Sequence, residues 1–159
     1  IFYSNLDKIF LCNKELYHTN SKSNVFLEDY AYSIAMLIDL YESTLKPNYL
    51  VHAKKMCAKA IDLFLIKETT IFQKNTIINS DLFHKAIDIS DHTIPNGNSI
   101  MLLNFSRLGM LDEGKKLSNS LNGYLNVYKS LMLSSLKSID YFISLESGKK
   151  CNQDGCVSK

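Results

Sequence analysis

The chain has 159 residues, 46% hydrophobic and 21% charged, with 6 Gly, 2 Pro and a formal net charge of +2. That length suits one domain with a core of its own, and the apolar content excludes a disordered chain or a disulfide-stapled mini-protein. Eighteen basic residues offset sixteen acidic ones, and over 1–110 the two signs balance at eleven each, which excludes a stripe of positive charge for tracking phosphates.

Seventeen of the basic residues are Lys, and Arg107 is the sole Arg. No apolar run approaches the ~18–20 residues that span a bilayer. Asp7 and Lys8 break the N-terminal segment, so it does not read as a signal peptide, and with Ile1 in first place a start further upstream is expected. Four cysteines are too few for a disulfide framework at this length. The expectation is a cytoplasmic chain with neither nucleic acid nor membrane as partner.

Helical periodicity opens at Leu27. Leu27, Tyr30, Ala31, Ile34, Leu37, Ile38 and Tyr41 recur at steps of three and four, with Asn24 as the expected N-cap and Glu28 and Asp29 in the first turn, where the helix dipole favours negative charge. Lys46-Pro47 closes that helix. A second stripe runs Leu50, Ala53, Met56, Cys57, Ala60, Ile61, Phe64, opposite a face carrying Lys54, Lys55, Lys59 and Asp62. The two read as an αα-hairpin.

Residues 67–97 lose this rhythm. Thr69-Thr70-Ile71-Phe72 and Thr76-Ile77-Ile78 are rich in β-branched residues and predict a short hairpin. Pro95-Asn96-Gly97 is a turn, with Asn98 or Ser99 as the expected cap of the next helix. That helix, from about Ser99 to Leu108, ends at Gly109. Another begins at Leu111 with Asp112 and Glu113 in its first turn. Gly123 is expected to break it, leaving a long final helix through Tyr124, Tyr128, Leu131, Ser135, Ile139 and Phe142. The fold class is all-α: helical hairpins with a short irregular or β-hairpin insertion around 67–97.

Two segments hold candidate chemistry. In Phe26-Leu27-Glu28-Asp29-Tyr30-Ala31, acids beside aromatics suit a sugar, the carboxylates accepting from hydroxyls and the rings packing on its apolar face. Neighbouring helix residues point about 100° apart, so Glu28 and Asp29 do not form a catalytic pair alone, and a partner acid is needed elsewhere. No Lys or Arg lies between Val25 and Leu45 to neutralise them locally. In Asp91-His92-Thr93-Ile94-Pro95-Asn96-Gly97-Asn98-Ser99, Asp91 is a candidate acid and His92 a candidate base, with amides of the following helix available to a ligand oxygen. The plain alternatives are a dipole-compensated helix start and an ordinary capped turn. His18, His52 and His84 have no metal-ligand spacing, Cys12 and Cys57 read as core, and no cofactor or metal is expected. Cys151-x4-Cys156 spans a turn, and either a small disulfide loop or two free thiols fits that spacing.

These segments, taken together, resemble the thioredoxin-domain-containing family that includes spermatogenesis-associated protein 20. Its members carry F-L-E-D-Y-A, then D-x-x-x-P-S-G-N-S, then a C-terminal C-x4-C, and all three occur here in order. The likeness extends through Leu37-Ile38-Asp39-Leu40-Tyr41-Glu42 and Asn104-Phe105-Ser106-Arg107-Leu108, covering about residues 15–110 well and 111–150 only as helical pattern. Asn96 stands where the family has Ser.

The resemblance implies a larger parent: a thioredoxin-like domain followed by an (α/α)6 toroid of the six-hairpin glycosidase type, similar to those of N-acylglucosamine 2-epimerases and unsaturated glucuronyl hydrolases. Residues 1–150 would be the C-terminal arc of that toroid and 151–159 a cysteine-containing tail. Partners would be the N-terminal hairpins, the thioredoxin-like domain and a small carbohydrate. By the family motif Glu28, Asp29, Tyr30, Asp91, Asn98 and Ser99 are the positions carried over: Glu28, Asp29 and Asp91 would be catalytic and Tyr30, Asn98 and Ser99, joined by His92 from the residue reading above, substrate-binding, in carbohydrate binding or sugar isomerisation or epimerisation. The alternative is a non-catalytic scaffold or interaction module whose motif residues are structural.

Overall fold

A computed structural model describes Leu16, residues 26–76 and 86–148, and the backbone of 150–152 and 155–157. Within it the chain is all-α with two short hairpins. In chain order come α1 (Leu27–Thr44), α2 (Pro47–Phe64), β1 (Leu65–Ile66), β2 (Ile71–Phe72), α3 (Gly97–Leu108), α4 (Leu111–Tyr128), a 3-10 turn (Lys129–Leu131), α5 (Leu133–Glu146), β3 (Lys150–Asn152) and β4 (Gly155–Val157).

The first hairpin is tighter than its sequence suggests. Helix α1 ends on Leu45, in the left-handed region at φ 55°, whose N–H donates to the Tyr41 carbonyl. Pro47 opens α2 at a position where its missing N–H has no helical partner to lose. The proline therefore starts a helix as well as closing one. The apolar stripes face each other as expected: Leu27, Tyr30, Ala31, Ile34, Leu37 and Ile38 on α1 are buried, as are Ala53, Cys57, Ala60 and Phe64 on α2. Tyr30 meets Phe64 edge-on, ring centroids 5.6 Å apart.

Three expectations need correction. The strand partner of Ile71-Phe72 is Leu65-Ile66, in the register Leu65↔Phe72 and Ile66↔Ile71, so the β-hairpin begins directly at the end of α2. Thr76 lies beyond it, and Ile77 and Ile78 lie outside the described residues, as do Asn24, Cys12, His18 and His84. Asn96, and neither Asn98 nor Ser99, caps α3: its side chain accepts from the Ser99 N–H at 2.9 Å. Gly123 does not break α4, which runs on to Tyr128. An exposed helical Gly costs only about 1 kcal/mol against Ala. The interruption comes at 129–132, where the Leu131 carbonyl accepts from the Asp91 N–H at 2.6 Å and Met132 is fully buried. Tertiary contacts end that helix. Gly109, at φ 71°, ends α3 as expected.

The helices form two layers. Helices α1, α3 and α5 pack in a row, while α2 packs on α1 and α4 packs on α3 and α5. Leu27 lies against Gly97 at the starts of α1 and α3, and Arg107 reaches Asp39 and Glu42 near their ends, so the two run parallel. The Asn96 side chain meets Ser135 early in α5, placing a third helix start beside the first two. Phe72 and Phe105, centroids 6.0 Å apart, join the β-hairpin to the α3 core. At the far end Cys151 is the register partner of Cys156 across the β3–β4 hairpin. No helix among the described residues is long and apolar enough to cross a membrane.

Candidate functional site

The starts of α1, α3 and α5 gather around the loop 86–96, and this is where the sequence motifs meet. Asp91 sits in the middle. One carboxylate oxygen accepts from the Asn96 N–H at 3.1 Å, from the Asn96 side-chain amide at 2.8 Å and from the Ser134 hydroxyl; the other accepts from the Ser134 N–H at 2.8 Å. Burial pushes this carboxyl upward, but the hydrogen bonds from Ser134 and Asn96 outweigh it and hold the group below its ordinary value. A carboxylate at two parallel helix starts is also favoured by their dipoles.

Asn96, unlike the half-buried Asp91, is fully buried. Beyond capping α3 it donates to the Ile89 carbonyl at 3.0 Å. A serine, as in the family motif, would also cap a helix, but it has no amide to give to Ile89 and Asp91. Asn98 has no exposed surface. Its Oδ1 accepts from the Phe72 N–H at 2.9 Å and its amide donates to the Phe72 carbonyl at 3.0 Å and the Asp88 carbonyl at 3.2 Å, so it substitutes for a strand neighbour along β2. Ser99 is equally enclosed, its hydroxyl donating to the Asn96 carbonyl. Tyr30 is buried in the core. The expected substrate-binding residues Tyr30, Asn98 and Ser99 thus present no surface to a ligand in this structure.

Another set of polar groups lies at the accessible rim. Tyr32 donates to the Pro95 carbonyl at 2.9 Å, and its hydroxyl is pushed upward by burial and then by the charges of Glu28 and Asp91. Lys74 pairs with Asp88 at 3.0 Å and is held charged chiefly by that bond. His92, largely exposed, stands 3.7 Å from Asp88. Glu28 and Asp29 are half-buried in the first turn of α1, and the Glu28 side chain lies over Gly97, where an added Cβ would come within 3.4 Å of it. The structure therefore brings Glu28, Asp91 and His92 to one end of the fold, and adds Tyr32, Lys74 and Asp88.

Sequence reasoning missed these three additions. Tyr32 directly follows the acidic motif, and its signal is its spacing of four from Glu28 on one helix face. Lys74 and Asp88 come from the segment that lacks periodicity, and for them the available signal was the absence of local cations near Glu28, which makes a distant Lys a natural neighbour. Among the described residues no group of three or more His, Cys, Asp or Glu is arranged to hold a metal ion. Comparison with family models, curated proteins and solved structures finds no match to this chain.

Proposed function

We propose that this chain is an arc of an (α/α)6 toroid, as its motif resemblance implies, and that the arc works as a scaffold in which Asp91, Asn96, Asn98 and Ser99 are structural. The layering supports the arc: parallel helices α1, α3 and α5 alternate with α2 and α4 on the opposite side, an arrangement that repeats hairpin by hairpin. The observation that carries the scaffold role is the saturation of Asp91, whose two oxygens accept four hydrogen bonds from Asn96 and Ser134. A carboxylate so engaged is a poor proton shuttle, because moving its proton would cost those bonds.

A second reading is favoured by the rim. Glu28, with Tyr32, Lys74, Asp88 and His92 around it, offers acceptors and donors suited to the hydroxyls of a small carbohydrate, and Glu28 makes no hydrogen bond or ion pair among the described residues. Here Glu28 would serve as the acid or base of a sugar-binding or isomerising site, with Asp29 beside it and Asp91 positioning the loop.

One experiment separates the two. Hexoses and N-acyl sugars are titrated calorimetrically into the chain and its Asp91→Ala and Glu28→Gln variants. The scaffold reading expects no sugar heat and a lowered melting temperature in Asp91→Ala alone. Saturable heat abolished by Glu28→Gln at unchanged stability would replace it with the carbohydrate reading.

A further inference from the structure

Helices α2 and α4 lie on the same side of the α1–α3–α5 row but scarcely touch each other. The groove between them holds a cavity of about 220 Å³ walled by Ile61, Leu65, Phe72, Phe105 and Leu117. One end is closed by the β-hairpin, and that closure is held under strain. Thr70, a β-branched residue, sits at φ 56°, in the left-handed region that such residues rarely adopt. Its hydroxyl bonds the Lys116 carbonyl at 3.2 Å and pairs with Ser120 Oγ at 2.7 Å, pinning the hairpin to α4.

Apart from Thr70, the polar lining is charged. Glu113 and Lys116 both border the cavity from one turn of α4, three residues apart and therefore on one face. Neither side chain makes a hydrogen bond or ion pair among the described residues. Burial, and then the Glu113 charge, push the buried Cys57 thiol on α2 up to about 12, consistent with Glu113 facing α2.

We propose that this groove binds a free α-amino acid with a large apolar side chain, the side chain filling the cavity, the ammonium pairing with Glu113 and the carboxylate with Lys116. Size and charge argue for it together. An apolar cavity of about 150 Å³ takes benzene, while drug-sized ligands need ~300–1,000 Å³. The volume here therefore matches one aromatic or branched aliphatic side chain. The walls are aliphatic and aromatic, which disfavours a ring of hydroxyls, so the site is independent of any sugar at the other groups described above. An uncommitted acid and base one helical turn apart complement a zwitterion, whereas a ligand with one charge would leave one of them unpaired.

The test is a two-dimensional NMR titration of the full chain, carrying Leu133→Lys and Leu136→Lys on the remote face of α5 to keep it monomeric, with L-phenylalanine and L-leucine, beside phenethylamine, 3-phenylpropionate and glycine. Saturable shifts at Phe72 and Leu117 are expected with the two amino acids, binding about tenfold weaker for each single-charge analogue, and none for glycine. Glu113→Gln should weaken L-phenylalanine about tenfold and leave 3-phenylpropionate unchanged, and Lys116→Met should do the mirror image with phenethylamine. Both substitutions lie at the groove's edge, and a thermal melt confirms that each variant is folded. Absence of saturable binding by either amino acid, equal affinity for the single-charge analogues, or indifference to Glu113→Gln would each overturn the proposal.

Discussion

Asp91 and Ser134 lie 43 residues apart, yet the carboxylate of one accepts from both the backbone N–H and the hydroxyl of the other at the start of α5. With its bonds to Asn96, this contact ties the loop 86–96 to two helix starts at once. Asp91→Ala leaves the Asn96 and Ser134 donors without their acceptor. A loss of about 1–3 kcal/mol is expected in urea denaturation, with Asp91→Asn falling in between because one oxygen remains to accept.

The same carboxylate sets a pH dependence. Its folded pKa lies below the ordinary 3.8, since the bonds from Ser134 and Asn96 overcome the upward push of burial. The stabilisation is therefore fully present above the unfolded pKa and is lost as pH falls through the folded one. Stability curves of the native chain and Asp91→Asn should run parallel above about pH 5 and converge below about pH 4. Convergence towards alkaline pH instead would place the effect on another group.

Two buried asparagines carry opposite expectations. Asn98 satisfies both backbone groups of Phe72, so Asn98→Leu strands an N–H and a C=O inside the core and should cost about 2–4 kcal/mol. Asn104 is equally buried, but its amide donates to the Ala31 carbonyl, an acceptor inside helix α1, and its Oδ1 has no partner among the described residues. Replacing it by Leu removes one hydrogen bond together with one desolvated acceptor, so Asn104→Leu should stay within about 1 kcal/mol of the native chain. Chemical denaturation of the pair checks both.

Two glycines of one helix separate packing from propensity. A Cβ at Gly114 would stand 2.6 Å from the Phe142 ring, whereas one at Gly123 meets nothing within 4 Å. Gly123→Ala should raise stability by about 0.5–1 kcal/mol, the ordinary helix preference. Gly114→Ala gains the same preference but must displace a buried aromatic, and a net loss of about 1–2 kcal/mol is expected. Differential scanning calorimetry should move the two melting temperatures in opposite directions.

The contrast at Gly123 shows what the residue pattern carries. Apolar spacing marks α1 and α2, and Gly109 marks the end of α3, because these features are local. The Asn96-Gly97-Asn98-Ser99 run offers three residues able to cap a helix, and local chemistry cannot rank them. The choice falls to Asn96 because Asn98 is taken up by Phe72, a strand residue 26 positions away. The break at 129–132 depends on Asp91, which docks there from another segment. Tyr32 shares the Glu28 face of α1 at a spacing of four, but Lys74 and Asp88 join them only once the Lys74 carbonyl accepts from the Leu27 N–H at the start of that helix.

The outward side of α5 tests the arc itself. Leu133, Leu136 and Ile143 are 66%, 51% and 53% exposed, and their spacing of three and seven sets them along one face, with Val127 72% exposed on the preceding helix. Isolated exposed apolar residues are ordinary, but three on one helix face, interrupted only by Asp140, make a surface that water disfavours. In an arc, that surface would lie against the rest of the toroid. The chain alone should therefore self-associate at micromolar concentration and bind a hydrophobic dye, and the double substitution Leu133→Lys with Leu136→Lys should suppress both without lowering the melting temperature. Sedimentation velocity gives the decision: a monodisperse native chain that binds no dye would mean these helices need no further hairpin beside them, and the arc reading would fall.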